Sequence, residues 1–114
     1  MKSFAWKLDV SFASKEEIGK ISMQQLWINH FHGALASAWK DGIGRDFQRR
    51  AYNICNKIEG SMLDIGVVEL EDAEFELIRE TFERAKCHPS LLKIWNQIHD
   101  SIDKTVAGKK SEEK

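Results

Sequence analysis

Between residues 22 and 40 the chain carries its most apolar run long enough to make a helix, and the apolar residues within it recur three or four apart. Leu26, Trp27, Phe31, Ala34, Leu35, Ala38 and Trp39 thereby share one broad side of a helix, and Met23 and Ile28 widen it. A stripe of that width has to be covered by more than one neighbour. Its two tryptophans alone can each bury roughly 150–250 Å². This helix is therefore predicted to sit at the centre of the fold, with the other elements arranged around it; the alternative is that part of its face forms a groove for a ligand or partner.

Ahead of it, residues 3–12 alternate without a fault. Phe4, Trp6, Leu8, Val10 and Phe12 fall on one side and Ser3, Ala5, Lys7, Asp9 and Ser11 on the other, the period of a strand with one face on a core. Residues 14–20 are polar and end that strand; Ser14 and Glu17 have the spacing of a capping box. After the central helix, Asp41-Gly42-Ile43-Gly44 permits a reversal into a second helix over about 46–59, with Phe47, Ala51, Ile54, Cys55 and Ile58 on its inner stripe and Gly60 at its end. Residues 65–70 (IGVVEL) are rich in β-branched side chains and form the second strand, the natural partner of the first. Glu71 or Asp72 starts a third helix carrying Phe75, Ile78, Phe82 and Ala85. Pro89 stops it and opens a fourth, which is predicted to bury Leu91, Leu92, Trp95, Ile98, Ile102 and Val106.

The predicted class is α+β, with four helices packed together and on a small two-stranded antiparallel sheet, in the order β-α-α-β-α-α. One domain over residues 1–106 is followed by a polar tail, 107–114, expected to fray.

Composition excludes some functions. With 42% hydrophobic and 31% charged residues and a formal charge of −1, the chain has no global attraction to nucleic acid or membrane. Charge is uneven, however: residues 1–58 hold nine Lys/Arg against five Asp/Glu, and residues 59–114 hold eight against thirteen. No apolar run approaches the length of a membrane span, and the N-terminus has no secretory pattern. Cys55 and Cys87 form no CxxC pair, so a reducing, cytoplasmic setting is expected.

No arrangement of residues announces a reaction. His30 and His32, two apart, do not share a helix face, and with Cys87, His88 and His99 they follow no metal-site spacing. Glu69, Glu71, Asp72, Glu74 and Glu76 gather at a helix start, where dipole and solvent keep acids ionised. Ser22, Ser37 and Ser61 lack a nucleophile elbow, and Gly42-Ile43-Gly44 joins two helices instead of a strand and a helix. The sequence thus predicts a protein that is not an enzyme, with no catalytic residue, metal or cofactor.

Binding is the remaining option. Trp6, Lys7 and Asp9 on the first strand, with the acids Glu71, Glu74 and Glu76, are the predicted contacts for a protein partner. A sheet of two unequal strands also leaves an edge that a second copy of the chain can extend, giving a homodimer. The alternative is a nucleic-acid regulator in which Arg45, Arg49, Arg50 and Lys57 of the second helix, beside Tyr52 and Lys40, lie against phosphates.

The segment VVELEDAEFELI at 67–78, followed by CHPSLLKIWNQI at 87–98, resembles in pattern a loose class of small phage and prophage proteins. These combine a leucine-rich first helix, an R/K-x-x-x-A/L-x-x-I second helix (matched in part here by Arg50, Ile54 and Lys57), a short V-x-L strand, an acidic-start helix and a final helix after a proline. The aromatic N-terminal strand and the two histidines of the first helix depart from that pattern. The resemblance implies a virus-encoded accessory protein acting in the host cytoplasm by binding, as an assembly helper or an inhibitor of a host complex. It carries over no individual site residue.

Overall fold

Alternation at the N-terminus and three-to-four spacing elsewhere produce the elements they imply. The computed structural model describes residues 2–9, 22–62 and 64–112. In order these form β1 (Lys2–Ala5), α1 (Met23–Ala38), α2 (Arg45–Glu59), β2 (Val67–Leu70), α3 (Asp72–Arg84), a 3-10 turn at Pro89–Leu91 and α4 (Leu92–Glu112). This is the α+β architecture expected, four helices on a two-stranded antiparallel sheet. Lys2 stands opposite Leu70 and Ala5 opposite Val67.

Aromatic side chains join the layers. Phe4 of β1 meets Trp27 of α1 edge-on at 5.8 Å, and Trp27 lies against Phe31 at 5.2 Å. Phe82 of α3 touches both of these rings and receives Trp95 of α4 at 5.2 Å. The predicted central helix thus contacts sheet and neighbouring helices through one face, and burying each such ring contributes about 1.5–3 kcal/mol. Ser22 caps the start of α1, its hydroxyl accepting the Gln25 N–H at 3.1 Å.

Both strands are shorter than their alternation suggested. Trp6 and Leu8 still point inward, but Gly66 adopts φ +64° and its carbonyl accepts from both Trp6 N–H (3.0 Å) and Lys7 N–H (3.4 Å). Two residues facing one break the ladder after Ala5. Residues 10–12 of the predicted strand and the capping box at Ser14 lie outside the described residues. At the other end of the chain, the 3-10 turn at Pro89 delays α4 by one turn. Leu92, predicted to be buried, is 52% exposed, and the α4 backbone stays helical to Glu112 instead of ending near Val106.

Candidate functional site

Helices α1 and α2 form an antiparallel hairpin. At its closed end Gly42, with φ +93°, lets the chain reverse, and its N–H donates to Trp39 O at 2.9 Å. There Trp39 also meets Phe47 edge-on at 5.5 Å. At the open end the Gln24 side-chain amide donates to Ser61 O at 3.1 Å. The helices do not close fully between these ties, and an open groove of about 440 Å³ runs between them. Ile28, Ile43, Ala51 and Cys55 supply its apolar lining. Gln25 and His32 of α1 and Gln48, Asn56 and Glu59 of α2 supply its polar groups. Tyr52 also lines the groove and is 68% exposed.

Charge is distributed unusually around this groove. The sixteen residues of α1 include no Asp, Glu, Lys or Arg, although such residues make up 31% of the chain. Its exposed positions are Gln25, Asn29, His32, Gly33 and Ala36, which repeat at helical spacing on one face. On α2, Arg45, Arg49, Tyr52, Asn56 and Glu59 are spaced four, three, four and three apart, all exposed. They form an outer stripe that is basic at its start, neutral in the middle and acidic at its end.

His32 Nε2 and Cys55 Sγ lie 3.7 Å apart in the groove. Burial first, and the negative charge of Glu59 second, push the Cys55 thiol up to about 11. At neutral pH it is therefore a thiol, not the thiolate a nucleophilic cysteine requires. His30 belongs to another contact. Its Nδ1 accepts the Trp95 indole N–H at 3.3 Å, and burial lowers its pKa. Among the described residues, no three His, Cys, Asp or Glu side chains are grouped to hold a metal ion. A second depression, of about 360 Å³, is lined by Arg79, Glu83, His99, Ile102 and Asp103; its charges are of both signs.

The residues predicted from sequence to bind a protein do not come together. Trp6 is wholly buried, a core side chain and not an anchor. Glu74 is 2% exposed: its carboxylate accepts from Lys57 Nζ at 2.5 Å and from Glu71 N–H at 2.9 Å, closing the start of α3. Lys7 and Asp9 are exposed beyond the Ala5 end of β1, while the antiparallel register puts Glu71 beside the Lys2 end. The backbone of Asp9 is clamped to α4, exchanging bonds of 2.6 and 2.8 Å with the Gln97 amide. Glu76 is exposed and pairs with Arg79 on its own helix.

The basic set divides as well. Arg45 and Arg49 occupy the outer stripe of α2, but Arg50 is half-buried with its guanidinium 5.6 Å over the Phe47 ring, and Lys57 is committed to Glu74. They do not converge on one rim. The strand edge is also less open than the sequence implied, because α4 packs against β1 and Thr105 donates to Ser3 O at 3.4 Å.

Sequence reasoning allowed the 22–40 helix a groove for a ligand or partner, but missed α2 as its other wall, with Tyr52 at the edge. A signal was present in the uncharged composition of residues 23–38. Among the described residues, no helix is long and apolar enough to cross a membrane. Compared with known families, curated proteins and solved structures, the chain matches none.

Proposed function

We propose that this protein works by binding another protein through the face formed by α1 and α2, as a stoichiometric accessory factor and not as a catalyst. One observation carries this reading. Tyr52 is 68% exposed beside an apolar groove, whereas every Phe and Trp ring among the described residues is buried or half-buried. A tyrosine costs little conformational entropy to fix and offers both apolar area and a hydroxyl, which is why such residues anchor protein contacts. Beside it the α1 wall carries no Asp, Glu, Lys or Arg and can form hydrogen bonds, while Arg49 and Glu59 flank Tyr52 along α2, where opposite charges of a partner can meet them. An assembly helper or an inhibitor of a larger complex, the roles implied by the phage-like pattern, are both served by such a surface.

The test is affinity capture from extracts of the producing cells, comparing the parent with Tyr52→Asp. Because Tyr52 projects into solvent, the variant is expected to fold normally by circular dichroism while losing the captured protein. Equal capture by parent and variant overturns the proposal.

A further inference from the structure

We infer that the partner of the α1–α2 face is a second copy of this chain, packed antiparallel about a two-fold axis passing between Tyr52 and Asn56. This rests on the reading of that face as a protein-binding surface and names its occupant.

Two-fold contact between identical surfaces places residues near the axis beside their own copies, so any charge there faces a like charge. The exposed positions of α1 carry none. This absence of self-repulsion is what an isologous interface requires, and it stands out in a chain otherwise dense in charge. The stripe on α2 then fixes direction. It runs from Arg45 and Arg49, through Tyr52 and Asn56, to Glu59. Laid antiparallel on its twin, it sets Arg49 of one copy against Glu59 of the other, and the symmetry repeats that pair on the far side of the axis. Parallel packing would set arginine on arginine.

Shape agrees with charge. Tyr52 is a projecting ring next to an apolar recess of about 440 Å³, and the two-fold brings each ring to the recess of the other copy. The open space over Gly33 offers no obstacle to that approach, since a Cβ built there meets nothing within 4 Å.

Sedimentation equilibrium from micromolar to millimolar concentration tests this directly. The parent is expected to reach twice the chain mass. Arg49→Glu and Glu59→Arg alone should each weaken self-association by about tenfold or more, because each creates two like-charge contacts per dimer. Mixing these two variants should restore it, since one then contributes only acids and the other only bases at the paired positions; the double variant should likewise self-associate. Recovery on mixing also shows that both single variants are folded. A parent that stays monomeric throughout, or single variants whose association does not recover on mixing, overturns the dimer. If that happens while Tyr52→Asp still loses its captured protein, the binding face stands with a different occupant. If Tyr52→Asp both dimerises and captures like the parent, the reading of the face falls too.

Discussion

Lys57 of α2 donates to the Glu74 carboxylate of α3 at 2.5 Å, and the two side chains are unequally placed, 32% exposed for the lysine and 3% for the acid. The acid depends on the lysine more than the reverse. Remove Glu74 and Lys57 can turn its ammonium to water; remove Lys57 and a buried carboxylate keeps only the Glu71 N–H. Lys57→Met is therefore expected to destabilise the fold by about 3 kcal/mol, in the range for a buried charge stripped of its partner. Glu74→Gln, which retains an acceptor for Glu71 N–H, should cost only about 1–2 kcal/mol. Urea unfolding of the two variants decides this, and equal losses would contradict the asymmetry.

Gly66 is constrained twice. Its φ of +64° suits glycine, and a Cβ there would lie 2.7 Å from Lys7 Cβ. Gly66→Ala should lose about 1–2 kcal/mol from the left-handed backbone alone, with the clash adding to it. Lys7→Gly in the same background should recover the clash component and leave the backbone component. Thermal melts of the single and double variants separate the two, and an undiminished loss in the double variant would show that the clash contributes nothing.

These two positions also show where sequence reading succeeds and where it stops. Phe4, Trp6 and Leu8, or Phe75, Ile78 and Phe82, announce their burial because the geometry of strand and helix fixes which residues share a side. Glu74 could have been placed by the same rule, since it shares a face with Ile78 and Thr81, but the run of acids around it suggested solvent. The end of β1 was not legible, because it is set by the conformation of Gly66, sixty residues away. The groove was legible only in part, for a related reason: the broad apolar face of the 22–40 helix allowed one, but nothing marked α2 as its second wall. Ile28 and Ala51 line it while counting among the buried core residues, and no local period encodes the spacing between two helices. The uncharged composition of α1 was a further mark of that surface.

In the groove, Cys55 offers a chemical probe. With its pKa pushed up to about 11 from an ordinary 9.0, its thiolate population at pH 8 falls roughly a hundredfold, and its alkylation should slow in proportion. Peptide mapping after iodoacetamide treatment, native against urea-unfolded, measures this. Glu59→Gln should speed the native reaction, since Glu59 is the second cause of the shift. His32→Ala should leave the rate within a few-fold of the parent. A large fall on losing His32 would mean that the imidazole activates the thiol, contrary to the inert pair described above.

His30 makes stability depend on pH. Its Nδ1 accepts the Trp95 N–H, which only a neutral imidazole can do when the proton sits on the other nitrogen, and burial favours the same neutral form. The folded pKa thus lies below the unfolded value of about 6.5, so the folded state binds fewer protons between the two. This stabilisation is fully present above the unfolded pKa and declines as pH falls through and below it, with a slope of at most about 1.4 kcal/mol per pH unit. His30→Leu should remove that slope whatever it does to absolute stability, because the residue that protonates on unfolding is gone. Urea titrations of parent and variant at a series of pH values between neutrality and mild acid measure the two slopes. Identical slopes would show that burial of His30 is not what couples the α1–α4 contact to protons.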